Sequence, residues 1–375
     1  MAKKLFIGTN TYLIGSQKPY ILVDAAEGLE SYLPILTSAL QDSNSTSNDL
    51  SLATPDVSDI IISHWHYDHV GGLPSVLTLL KNLWIGRNLG REAEYQGPKL
   101  HKYPLNETAT AGGEGGERHL GPHNILPDIE KTLQKELNLY TAAPNGSVFH
   151  DLYDGQKFVK GPGTTTTTTT ATLLEVLYTP GHSADSICLY LPIDRALYTA
   201  DTVLGHGTAV FEDLAAYMKS LDKMLRFNEA TRNLGEGTDE LTVAYDTLYP
   251  GHGHILTNGR ETIATYIKHR MERETQIVEV LQIPVPVELQ LESSDSATDS
   301  DRQQRQLWTI WNLVRHIYKS YPENLWLPAT RSVHLHLKKL EGEGIVRCVG
   351  GEGKDTVWEL VAIPSGSSST TTLNE

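Results

Sequence analysis

Residues 64 to 69 read His-Trp-His-Tyr-Asp-His, four metal-ligating side chains within six positions. They follow Asp59-Ile-Ile-Ile-Ser63, an apolar run that reads as a buried strand. They precede Gly71-Gly72 and then Leu73, Val76, Leu77 and Leu80 at helical spacing. The cluster therefore sits on a strand-to-helix turn. Side chains alternate direction along extended backbone, so His64 and His66 can reach one cation while Asp68 and His69 turn toward a second. Imidazole and carboxylate suit Zn²⁺, and manganese and iron accept the same donors.

Three more donors follow at usable places: His182 in Thr-Pro-Gly-His-Ser, Asp201 in Thr-Ala-Asp-Thr, and His252 in Tyr-Pro-Gly-His-Gly. Each comes after a short apolar or β-branched run, so strand ends place all three. A single histidine is more often an ordinary polar residue of an α/β core. Seven donors in matching strand-turn contexts outweigh that reading.

This order of motifs resembles the metallo-β-lactamase superfamily, in which a His-x-His-x-Asp-His loop is followed by a His, a bridging Asp and a last His. The resemblance implies that His64, His66 and His182 hold a first metal and that Asp68, His69 and His252 hold a second, with Asp201 between them. It also implies two Zn²⁺ per chain, a shared water acidified toward a pKa of about 7, and hydrolysis by the resulting hydroxide. Asp68 is then the catalytic residue that orients this water, and Asp24, in Tyr-Ile-Leu-Val-Asp, is an outer brace for the metal loop.

The segments Gly8-Thr-Asn-Thr-Tyr-Leu-Ile-Gly15, Leu204 to Leu214, Tyr321-Pro-Glu-Asn-Leu325 and His336 to Glu341 resemble the lactamase-beta-2-like branch. That branch includes mitochondrial single-strand endoribonucleases and fungal thioesterases that release polyketides from acyl carrier protein. The implied function is cleavage of an acyl thioester, either carrier-bound or free. The alternative is single-strand-specific RNA cleavage, with RNA as partner. A metal-less binding protein fits poorly with a complete donor set. His206 and His254 lie near the donors in sequence and read as polar rim residues.

The implied fold class is α/β: an αββα metallo-β-lactamase sandwich over residues 1–285, with a small C-terminal winged-helix-like domain. Leu214, Met218, Leu221 and Leu225 mark one core-facing helix, and Ile263, Ile267, Met271, Val278 and Leu281 another. Residues 106–128 and 161–170 read as surface inserts, the second ending in seven threonines. An acidic linker, 286–303, leads to the winged unit at 304–363, with helices at 307–319 and 329–340 and strands near Val346 and Val357 joined by a glycine-rich hairpin. Residues 364–375 read as a disordered tail. Relatives carry one or two more strands before the Gly-Thr-Asn-Thr-Tyr motif, so the first sheet is expected either to lack an edge or to begin upstream.

The net charge of −15 opposes a polyanionic partner, although residues 304–361 carry eight basic and six acidic residues. Arg331, His334, Lys338 and Lys339 share one predicted helix, where a nucleic-acid reader would place them. An acidic carrier protein meets the same opposing field. The two cysteines, Cys188 and Cys348, imply no disulfide framework. No membrane-length apolar run and no signal-peptide core appear, so the expected location is cytoplasmic, or mitochondrial if the chain starts upstream.

Overall fold

The computed structural model describes residues 3–41, 53–105, 125–136, 138–159, 171–227, 244–290 and 307–361. The expected insert at 161–170 and tail at 364–375 lie outside these residues, as does most of the linker. The chain forms two compact units, 1–266 and 267–375. The expected boundary near 285 falls later than this division.

In the first unit a six-stranded sheet has the order β1 (Lys3–Ile7), β2 (Thr9–Ile14), β3 (Tyr20–Val23), β4 (Val57–Ile62), β5 (Lys99–Lys102), β6 (Phe149–Asp151). β1 supplies an edge strand ahead of the Gly-Thr-Asn-Thr-Tyr motif, pairing antiparallel with β2. A five-stranded sheet has the order β11 (Thr247–Pro250), β10 (Ala196–Ala200), β9 (Ile187–Leu191), β8 (Thr172–Tyr178), β7 (Lys157–Val159).

Strand alternation divides the core into layers. Tyr12, Ile14, Ile21, Val23 and Ile61 face between the sheets, against Val176, Ile187, Leu189 and Tyr198. Their neighbours Leu13, Tyr20, Leu22, Ile60 and Ile62 turn outward, toward α1 (Tyr32–Gln41), α3 (Leu73–Arg87) and α4 (Leu126–Lys135). α3 buries Leu73, Val76, Leu77 and Leu80, the residues whose spacing predicted it. α4 buries Leu126, Ile129 and Leu133, so the insert expected at 106–128 ends in a core-packed helix. Its earlier part, 106–124, lies outside the described residues.

Two predicted helix faces need correction. α5 (Leu214–Leu225) buries Leu214, Tyr217, Leu221 and Met224 in place of Met218 and Leu225. Tyr217 can face inward because its hydroxyl donates to Thr202 O at 2.6 Å. On α6 (Gly259–Leu281), Ile263 and Leu281 are buried but Met271 is 57% exposed.

The second unit contains α7 (Val287–Gln290), β12 (Trp308–Thr309), α8 (Ile310–Ile317), α9 (Trp326–Gly342), β13 (Val346–Gly350) and β14 (Val357–Leu360), with sheet order β12-β14-β13. Thr309 caps α8 by accepting from Asn312 N at 3.0 Å, which starts the helix three residues later than predicted. Ile277, Val280 and Leu281 from the end of α6 pack with Trp308, Val333, Leu337 and Trp358, which is why that turn groups with this unit.

His336 on α9 is fully buried, and neither ring nitrogen has a hydrogen-bond partner. Burial pushes its imidazole below the ordinary value, against the pull of Glu274, whose carboxylate is 3.9 Å away. Arg270 and Arg273 of α6 also disfavour the charged form. Stability from neutral His336 is complete above about pH 6.5, the unfolded value, and is lost as pH falls through the depressed native value. Melting followed by tryptophan fluorescence checks this, because Trp308, Trp311, Trp326 and Trp358 all lie in this unit. The expected midpoint falls between pH 7.5 and 5, and less so in His336→Leu.

Candidate metal centre

All seven candidate donors come together where strands of the two sheets end. β4 leads through Ser63 to His64 and, after a bend at Trp65, to an extended His66, and Tyr67–Val70 then forms a single helical turn, α2, that carries Asp68 and His69. β8 leads to His182, β10 to Asp201, and β11 to His252. Asp24, just after β3, has φ +60°, and Ala200, just before Asp201, has φ +45°. Left-handed backbone at two non-glycine residues marks a site whose surroundings over-determine its geometry.

Three groups of donor atoms form: His64, His66 and His182; His64, His69 and Asp201; and Asp68, His69 and His252. In the first, His64 Nε2 lies 3.0 Å from His66 Nδ1 and 3.2 Å from His182 Nε2, and the last two nitrogens are 2.9 Å apart. In the third, His252 Nε2 lies 3.1 Å from Asp68 Oδ2, and His69 Nε2 is 3.4 Å from the same oxygen. Asp201 reaches both sides, at 3.4 Å from His69 Nε2, 3.2 Å from His252 Nε2 and 3.7 Å from His182 Nε2.

The outer hydrogen bonds test whether these groups suit cations. His69 Nδ1 donates to Asp24 Oδ2 at 2.7 Å and His182 Nδ1 donates to Val210 O at 2.9 Å. Ser63 Oγ donates to Asp24 Oδ2 at 2.8 Å, which leaves it to accept from His64 Nδ1 at 3.0 Å. Each bond fixes a tautomer that aims the Nε2 lone pair inward. The Nε2 lone pairs of His64 and His182 therefore face each other at 3.2 Å, with His66 Nδ1 beside both, and two facing lone pairs repel unless a cation lies between them. Tetrahedral ligands about 2.05 Å from zinc stand about 3.3 Å apart, close to the spacing of this triangle. His69 Nε2 and Asp201 Oδ1 are buried without hydrogen-bond partners. The donor set fits metal.

The donor rings divide into two sets, those neutral as they stand and those that must release a proton before they can bind a cation. Burial and neighbouring imidazoles push His64 well down and His66 to about 4, so both are neutral, ligand-ready rings. Hydrogen bonds to Asp201 and then Asp68 raise His252 to about 10. Burial opposes charge on His69, yet Asp201 and Asp24 raise its imidazole well above the ordinary value. Burial likewise opposes charge on Asp201, but His69 and His252 hold that carboxyl well below its ordinary range.

Three positioning features escaped the sequence reading. Thr9 Oγ1 donates to Asp68 Oδ2 at 2.8 Å. Asn10 Nδ2 donates to Pro250 O and Gly253 O, both at 2.9 Å, and ties β2 to the His252 turn. Thr9 and Asn10 belong to the opening motif, a signal that carried a family likeness but no assigned role. Tyr198 OH donates to Asp24 Oδ2 from the facing sheet. Tyr198→Phe leaves Asp24 its Ser63 and His69 partners and is expected to cost about 1.5–3 kcal/mol in urea unfolding, the range for a bond to a charged group. His206 and His254 are exposed and join none of the donor groups among the described residues.

An αββα fold with clustered His and Asp donors at the strand ends defines a metal-dependent hydrolase. The chain belongs to the metallo-beta-lactamase superfamily, which residues 6–252 match, and residues 309–355 match the beta-lactamase associated winged helix domain. It is 30% identical over 340 residues to a beta-lactamase-like protein 2 homolog of Caenorhabditis elegans, covering 90% of this chain and 80% of that one. It is 28% identical over 275 residues to an atrochrysone carboxyl ACP thioesterase of Aspergillus chevalieri, covering 73% of this chain and 61% of that one. Among solved structures, a beta-lactamase domain protein from Burkholderia ambifaria shares the fold with a TM-score of 0.54 at 15% identity, covering 96% of this chain and 91% of that one. Among the described residues no helix is long and apolar enough to cross a membrane.

Proposed function

We propose that this hydrolase holds two zinc ions and cleaves an acyl thioester, as in release of a polyketide from an acyl carrier protein. The observation that carries the substrate class is the apolar surface on the donor segments. Tyr67, between His66 and Asp68, is 47% exposed, and Val210, whose carbonyl holds His182, is 69% exposed. Ile255, three residues after His252, is 39% exposed. An acyl chain suits such a rim, whereas a phosphodiester backbone needs clustered cations. The similarity to atrochrysone carboxyl ACP thioesterases supports the reading.

Two zinc ions, when bound, acidify water and neutralise charge building on the carbonyl oxygen. The chain's own residues do the rest. Thr9 fixes one oxygen of Asp68, so the carboxylate keeps one orientation toward the attacking water. Asp24, Ser63 and the Val210 carbonyl keep His69, His64 and His182 in the tautomers that present lone pairs. A thiolate departs without a strong acid, so no proton donor is required.

Single-stranded RNA is the weaker substrate. Of the α9 cations singled out by sequence, Lys339 is bound by Glu274 and Glu343, and Lys338 by Glu341. Turnover of an acyl thioester and of a single-stranded RNA oligonucleotide, with Asp201→Ala as the blank, decides between them. Thioester cleavage that vanishes in Asp201→Ala supports the proposal. RNA cleavage that vanishes in the same variant, with no thioester turnover, replaces it.

A further inference from the structure

Lys102 and Asp185 form a buried ion pair with 2.5 Å between Nζ and Oδ2, and their side chains are 4% and 0% exposed. Lysine is almost never buried without a partner, and a buried pair adds little net stability over well-packed apolar residues. Its position in the fold suggests another use. Lys102 ends β5 in the six-stranded sheet and pairs in register with Ile62, two residues before His64. Asp185 lies in the other sheet's turn, three residues after His182.

The turn is tied from Asp185 back to His182. Asp185 Oδ1 accepts from Ser183 Oγ at 2.7 Å, Ser186 Oγ accepts from Ser183 N at 3.1 Å, and Gly181 N donates to Ser183 O at 3.1 Å. Lys102 Nζ is itself fixed by donating to Tyr103 O at 3.1 Å. The His64, His66 and His182 group draws two donors from one sheet and one from the other, so its size depends on how the sheets are held at this rim.

We propose that Lys102 and Asp185 are positioning residues that set the distance between His182 and the His64–His66 pair, and so the affinity of that donor group for its cation. The inference rests on the two-zinc reading. By contrast, among the described residues the side-chain hydrogen bonds of Ser183 reach Asp185 and Ser186 and none reaches Asp68, His69 or His252, so the affinity of that group is expected to stay.

The test is zinc titration against a chromophoric chelator, using metal-stripped full-length protein. Wild type is compared with Lys102→Met, Asp185→Asn and the apolar pair Lys102→Met/Asp185→Leu. His182→Ala and His252→Ala identify which binding constant belongs to which donor group. Lys102→Met and Asp185→Asn are expected to weaken the constant that His182→Ala removes by about 10–100-fold, the range for outer partners of a metal ligand. The other constant should stay within about twofold. The apolar pair is expected to regain melting temperature without regaining affinity.

Unchanged zinc constants with a lowered melting temperature, or equal weakening of both constants, overturn the inference. Asp185→Asn keeps an acceptor for Ser183, so it gives the answer if Lys102→Met fails to fold. A wild-type chain that binds no zinc refutes the two-zinc reading and this inference together. Two bound ions with both variants unaffected refute only this inference.

Discussion

Asp201→Ala is expected to reduce kcat/KM by at least about a thousandfold, roughly 4 kcal/mol of lost barrier lowering at about 1.4 kcal/mol per tenfold. Among the described residues Asp201 is the one carboxylate within 3.7 Å of donor nitrogens in both histidine sets, through His182 on one side and His69 and His252 on the other. Without it no side chain spans them, and zinc binding is expected to weaken by more than the about 10–100-fold that outer partners cost. The fold should survive, because Asp201 lies just beyond β10 and the apolar layer between the sheets does not include it. Circular dichroism and a cooperative melt would verify that, and steady-state kinetics with zinc analysis would read the loss. Full activity in a folded Asp201→Ala protein would place the chemistry elsewhere.

Gly251→Ala is expected to be nearly as damaging, though it adds only a methyl group. A Cβ at Gly251 meets Asp201 Oδ1 at 2.4 Å, His69 Cε1 at 3.0 Å and the Ala200 carbonyl carbon at 3.1 Å. The backbone cannot step away, because Gly251 N donates to Ala200 O at 2.8 Å and Gly251 O accepts from Asn10 N at 2.7 Å. The carboxylate is the part that must move, away from His69. Zinc affinity is expected to fall at least about tenfold, with about 1–3 kcal/mol of overpacking cost in denaturant unfolding. A normal zinc constant in Gly251→Ala would mean that Asp201 tolerates displacement and has no positional role.

What could be read ahead of the structure follows from how local each signal is. The seven candidate donors could be singled out because each lies in a short strand-to-turn motif; the structure brings them together, and the helical turn at Tyr67–Val70 changed only how Asp68 and His69 are delivered. Asp24 was visible as a strand-end carboxylate. Tyr198 was not, because a tyrosine in an apolar strand reads as core until its hydroxyl is seen to reach Asp24, 174 residues away. Asn10 is tied to Pro250 across 240 residues, and nothing near it in sequence announces that contact.

Lys102 was hidden for a related reason. A lysine at a strand end reads as solvent-facing, and only the opposing sheet supplies Asp185. The helix faces show the same limit. Tyr217 replaces Met218 on the buried side of α5 because a backbone acceptor at Thr202 satisfies its hydroxyl. Met271 is exposed while Ile263 and Leu281 of the same helix are buried, so the apolar spacing marked the ends of the buried face but not its middle.

The proposed hydrolysis requires seven side chains from both sheets to enclose two cations. Its most direct test is elemental analysis of purified, folded full-length protein after equilibration with zinc and removal of excess ion. Two zinc ions per chain are expected, with fewer retained in Asp201→Ala under the same treatment. Fewer than one ion per chain, unresponsive to added zinc, would contradict it.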